Sequence, residues 1–171
     1  NPYPSYLNWD SVIKTNVSPT IWYRTANSTN EMLFDTYNSL NGFGTNNNGK
    51  GAVTEFIPPI QSLWIRVKDD FNTGNLIFNN SMRSHQVNNP LKSFTEKSFI
   101  RIIISDNKNS DESIVVFDHN AEDGFEDYDS EKMFPENNLI PQLYSISNNH
   151  KLVINSMKSP KDVNIYFKCG K

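Results

Sequence analysis

FIRIIISDNKNSDESIVVF, residues 99–117, decides how the chain is read. Ile100, Ile102 and Ile104 fall on one side of an extended segment, because side chains alternate faces along a strand. The run from Ser113 to Phe117 is again β-branched and aromatic. Between them lies DNKNSD, made of residues that favour turns. Two apolar runs flanking a short polar turn predict a β-hairpin.

The same pattern recurs outward. TIWYR, MLFDTYN and LIF (76–78) read as short strands before the hairpin. LWIRV places Leu63, Ile65 and Val67 on one face and Trp64 with Arg66 on the other. After it, QLYSIS (142–147) and KLVIN (151–155) flank NNH as a second hairpin, and VNIYF (163–167) closes the set. Many short strands broken by Asn, Gly, Pro or Ser are the pattern of a β-sandwich or barrel, and an all-β, antiparallel sandwich of jelly-roll type is the expectation. Helical patterns are confined to a turn or two at 127–133, with Asp127 as N-cap and Pro135 beyond the end, and a turn near Trp9–Ile13. No internal repeat or linker interrupts the chain, so residues 1–171 are expected to form a single module.

Composition narrows the function. The chain has 171 residues, of which 36% are hydrophobic and 12% aromatic, enough to build a core. The formal net charge of -3 argues against a nucleic-acid binder, which carries a basic patch, and against electrostatic docking on an anionic membrane. A single cysteine, Cys169, rules out an internal disulfide. No apolar run reaches the ~18 residues of a membrane-spanning helix.

Catalytic signatures are missing. GTNNNGKG (44–51) approaches the phosphate-binding pattern G-x-x-x-x-G-K-[ST], but Gly51 stands where the hydroxyl belongs. Pro58 and Pro59 also stop the helix that this motif needs, so a loop is expected. His85, His119 and His150 are scattered, with no HExxH pairing and no G-x-S-x-G elbow. A non-enzymatic chain is the expectation.

The acidic stretch DHNAEDGFEDYDSEKMF (118–134) raises calcium as an option. Set against an EF-hand loop beginning at Asp118, its Gly124 comes one residue late and Asp129 replaces the usual terminal Glu. An irregular calcium site would draw on Asp118, Asn120, Asp123 and Asp127 or Asp129. Otherwise the acids face water, while Phe125, Tyr128 and Met133 pack inward. The aromatics Trp9, Trp22, Tyr23 and Trp64 stand among amide side chains, the make-up of sugar-binding surfaces. Core packing competes for each of them, and Trp64 is the best placed to be exposed. The sequons at Asn27 and Asn79 are expected by chance in so Asn-rich a chain.

In order, NPYPSYLNWDS, SPTIWYR, FDTYN, a Gly-rich loop, FIPPIQSLWIRV, FNNSMRSH, FIRIIISDNKNSDESIVVF, NAEDGFEDYDSEKMF, PQLYSIS, LVINSM and VNIYFKCG follow one another. This succession resembles an accessory module that precedes the C-terminal sorting domain of bacterial proteins exported by the type IX secretion system. Adhesins, gliding-motility proteins and polysaccharide-degrading enzymes carry such modules. The segment around Pro58–Val67, the Arg83/His85 pair and the turn around Gly124–Asp129 recur in them, with Glu126 here in place of the usual Asp. The resemblance implies a secreted, surface-displayed, non-catalytic structural or adhesion module, here a fragment of a longer chain. Its alternative is a carbohydrate-binding module with a structural calcium. The implied partners are polysaccharide or the secretion and cell-surface machinery, with neither nucleic acid nor membrane insertion.

Overall fold

The computed structural model describes residues 1–85, 97–106 and 108–169. The first half of the chain supplies β1 (Tyr6–Asn8), β2 (Ile13–Thr15), β3 (Thr20–Ala26), β4 (Met32–Asn38), β5 (Phe56–Ile57), β6 (Asn75–Ile77) and β7 (Arg83–Ser84). The second supplies β8 (Ser98–Ser105), β9 (Ser110–Phe117), β10 (Ser130–Glu131), β11 (Gln142–Ser147), β12 (His150–Met157) and β13 (Ile165–Lys168). The fold is all-β and sandwich-like, as expected. Helical structure among the described residues is limited to the 3-10 turns Trp9–Ser11 and Asn80–Met82.

The expected hairpin forms, with β8 and β9 antiparallel from Ser98↔Phe117 to Ser105↔Ser110. Its loop is shorter than the polar run suggested, because β9 already begins at Ser110. The Asp106 carboxylate accepts the backbone N–H groups of Lys108 and Asn109 and closes the turn. These two strands belong to a sheet of order β13-β11-β12-β9-β8, with β10 also paired to β12. One pairing departs from the antiparallel expectation: β9 and β12 run parallel from Ile114↔Ile154 to Phe117↔Met157. The long connection from Asp118 to Asn149 permits it, since parallel neighbours need a crossover rather than a tight turn.

In the N-terminal half, β3 and β4 form a seven-pair hairpin, β1 lies between β5 and β7, and β2 pairs with β6. Leu7, Trp9, Ile21, Tyr23, Tyr37 and Ile57 pack into one apolar cluster there. Ile114, Val116, Val153 and Ile154 form a second on the larger sheet, with Phe43 against it.

Polar groups join the two halves. Asn38 Nδ2 donates to the carbonyl oxygens of Asp127 (2.9 Å) and Asp129 (3.1 Å). Asn41 Nδ2 and Ser156 Oγ both donate to the Tyr128 carbonyl, each at 2.8 Å. Thr20 and Ser130 hydroxyls meet at 2.9 Å. Trp22 Nε1–H reaches the Glu131 carbonyl at 2.9 Å.

Two elements differ from the sequence-based reading. Residues 127–133 form no helix: Asp127 and Tyr128 make an isolated turn, and Ser130–Glu131 is strand. Carbonyls that a helix would use internally are taken by Asn38, Asn41 and Ser156, so the chain leaves the turn extended. LWIRV is likewise no continuous strand; it touches the N-terminal half by single bridges, Trp22↔Trp64 and Val17↔Val67.

GTNNNGKG is pinned rather than loose. The buried Asp35 carboxylate accepts the hydroxyls of Thr25 (2.7 Å) and Thr45 (3.1 Å), the Asn47 N–H (2.6 Å) and the Asn48 amide (2.6 Å). A Cβ on Gly44 would lie 1.8 Å from the Val53 carbonyl oxygen, so only glycine allows the loop to close on itself. Asn27 is a structural residue: its Oδ1 accepts the N–H groups of Thr29 and Glu31, and its amide binds Asn109. Asn79 caps the 3-10 turn at Asn80–Met82.

Candidate functional site: a tryptophan-walled cleft

Trp22 and Trp64 are directly opposed. Each backbone N–H bonds the other's carbonyl, at 3.1 and 2.8 Å. Residues facing each other in this way project side chains to the same side. The Trp22 ring is buried at 4% exposure, because β10 covers it and takes its indole N–H. Trp64, next to it, is 56% exposed. The alternation that set Trp64 apart from Leu63 is thus realised, with Leu63 packed against the core cluster. Ile65 departs from that pattern and is exposed.

Two residues on from Trp64, Arg66 projects to the same side. Its guanidinium pairs with the Glu131 carboxylate and lies 5.3 Å from the centre of the Phe125 ring. The other Glu131 carboxylate oxygen is 2.7 Å from His150 Nδ1. His150 stacks on Phe125, with ring centres 3.8 Å apart and planes 11° from parallel. Glu131 is therefore held between a cation and an imidazole, and Phe125 carries both. This position comes from the β10–β12 pairing, whose register shifts between Ser130 and Glu131.

The hairpin turn ahead of His150 is Asn148–Asn149, both with positive φ (46° and 68°). Two left-handed residues make the tight turn that suits the strand twist, and Asn is among the few residues that adopt it readily. Asn149 and Lys151 then flank the cleft, which encloses about 450 Å³.

The remaining aromatics expected as ligand contacts lie elsewhere. Trp9 is wholly buried and donates its indole N–H to the Pro19 carbonyl at 2.7 Å. Tyr23 is buried in the same apolar cluster, and burial pushes its hydroxyl above the ordinary tyrosine range. Neither is placed to stack on a sugar. Of the four aromatics, Trp64 provides the open face and Trp22 the wall beneath it.

The residues considered for calcium are spread over separate contacts. Asp118 is buried, accepts the Asn120 N–H and amide, and pairs with Lys97 at 2.8 Å. Asp123 pairs with Lys161 at 2.9 Å, and Asp127 with Lys68. Asp129 is buried; its carboxylate accepts the N–H groups of Ser156 (2.7 Å) and Glu126 (3.0 Å). Burial pushes its carboxyl up to about 7, against the pull of those two N–H donors. Among the described residues, no three His, Cys, Asp or Glu side chains form a group able to hold a metal ion. Phe125, Tyr128 and Met133 are half-buried rather than core residues.

Sequence reasoning missed Arg66, Glu131, His150, Asn149 and Lys151 as parts of one site. Arg66 had a signal, since it shares the Trp64 face of LWIRV. Glu131 and His150 had none, because a bulged pairing and a turn bring them together.

No curated protein and no solved structure matches the chain. A family model described as "Domain of unknown function (DUF8693)" matches residues 1–168, and the chain belongs to that family.

Proposed function

We propose that the chain is a non-catalytic adhesion module of a type IX-secreted bacterial surface protein, and that it holds polysaccharide in the Trp64 cleft. The observation that carries this reading is the open Trp64 ring beside a fixed set of polar groups. An indole face packs on the apolar face of a sugar, and nearby side chains take up its hydroxyls. Arg66, Glu131 and His150 constrain one another, so little side-chain entropy remains to be lost on binding. The non-catalytic part of the reading rests on the resemblance. Glu131 is the one carboxylate among the described lining residues, and it is paired with Arg66 and His150. Export and surface display rest on the resemblance in segment order.

The test is a polysaccharide pull-down with the intact chain and Trp64→Ala. The expected result is retention by at least one polysaccharide and its loss in the variant. Retention that survives Trp64→Ala would remove the cleft from the reading, and no retention on any polysaccharide would remove the glycan role altogether. A structural calcium in the acidic loop would compete with Lys97, Lys161 and Lys68 for its carboxylates. A rise in Tm with calcium over excess chelator is the measurement that would establish it.

A further inference from the structure

The cleft does not end at Lys151. This side chain leaves the cleft wall and sets its ammonium 5.2 Å from the centre of the Phe134 ring and 5.4 Å from that of Tyr144. Phe134 and Tyr144 meet edge-on at 5.6 Å. Tyr144 on β11 pairs in register with Tyr166 on β13, and their rings stack at 5.7 Å with planes 10° apart. Phe134 and Tyr166 are each 42% exposed. An aromatic track thus continues the surface that begins at Trp64. Tyr144 and Tyr166 sit on adjacent strands, whose separation is about 4.8 Å, and Phe134 comes from the segment after β10.

Charge along this track is one-sided. Arg66 is matched by Glu131, and the buried Lys132 by Asp111. Lys151 is exposed and forms no ion pair among the described residues, so an anionic group can reach it without displacing a protein carboxylate. A cation held over ring faces keeps a stable position, since the rings' negative faces attract it.

Resting on the glycan reading above, we infer that the ligand is an extended acidic polysaccharide. Its neutral faces would lie on Trp64 and on the exposed rings of Phe134 and Tyr166, with an anionic group, carboxylate or sulfate, at Lys151. A neutral chain could use the rings but would leave the ammonium without a counter-charge.

The experiment measures affinity by calorimetry for polygalacturonate, dextran sulfate, and neutral dextran and xylan. It compares the intact chain with Lys151→Gln, Tyr166→Ala and Lys50→Gln. Lys50 lies outside the cleft and controls for diffuse attraction to any polyanion. Thermal melts confirm that each variant is folded. The expected result is binding of an acidic polymer that weakens with added salt. Loss of one charge-assisted contact should lower affinity by roughly tenfold in Lys151→Gln. Tyr166→Ala should lower it several-fold, and Lys50→Gln should leave it unchanged. Preference for polygalacturonate or for dextran sulfate identifies the anionic group. An equal loss in Lys50→Gln and Lys151→Gln would overturn the inference. So would tight binding of a neutral polymer alone, although that result would leave the glycan role intact. Failure to bind any of the four polymers would remove the inference together with the reading beneath it.

Discussion

Trp64 and Trp22 are neighbours with opposite duties. Removing the exposed ring should leave folding within about 0.5 kcal/mol of the parent, the usual range for surface changes, while abolishing retention on polysaccharide. Trp22→Ala empties a buried site and strands the Glu131 carbonyl, so a loss of about 3–5 kcal/mol is expected in urea denaturation. Asp129 adds a pH signature. Its carboxyl is raised in the folded chain by burial, to about 7, so between roughly pH 4 and 7 the folded state keeps a proton that the unfolded state has released. Stability from this group is therefore full below about pH 4 and falls as pH rises through 7. Burial raises Asp35 and Asp111 as well, which gives the same sign. The urea midpoint should be higher at pH 5 than at pH 8, with a flatter profile in Asp129→Asn. The exposure of Trp64 was legible in the alternation of LWIRV. The protonation of Asp129 was not, because it depends on how deeply the folded chain buries that one carboxylate.

At the level of elements, hairpins were legible and irregular segments were not. The β8–β9 and β11–β12 hairpins follow from alternation broken by short polar turns, a signal carried within a dozen residues. The supposed helix at 127–133 failed because Asp127 and Pro135 are equally good boundaries for a turn that enters a strand. Asn38 and Asn41, far away in sequence, decide between the two outcomes. GTNNNGKG shows the same limit: its order comes from Asp35, ten or more residues earlier, through three hydrogen bonds. Asp35→Ala leaves several buried donors without an acceptor. A loss of about 2–4 kcal/mol is expected, with faster amide exchange confined first to residues 44–51. Asp35→Asn keeps an acceptor but adds donors facing donors, and should fall between the two.

Across the whole molecule, amide, hydroxyl and carbonyl groups join the two halves, alongside an apolar contact of Phe43 with Phe99 and the second cluster. The seam's cohesion depends on direction and complete pairing, so single deletions there should cost more than their size suggests. Asn38→Ala removes the donor to Asp127 and Asp129, and the expected penalty is about 2–3 kcal/mol. Lys132→Met leaves the Asp111 carboxylate buried without its cation, for which about 3–5 kcal/mol is expected. Both penalties are read from the same urea curves. That the chain is all-β was legible from its pattern of short alternating runs. That its halves meet through Asn38, Asn41 and Ser156 was not, since lone amides and hydroxyls carry no periodicity. The unequal burial of the three tryptophans has an optical consequence. Trp9 and Trp22 emit from a rigid, water-poor interior and give a blue component. Trp64 is bathed by mobile water dipoles that relax around its excited state, and it gives a red one. The chain thus carries its own dye at the proposed binding face. Iodide should quench the red component selectively, Trp64→Ala should delete it, and a sugar seated on the ring should shift it towards the blue.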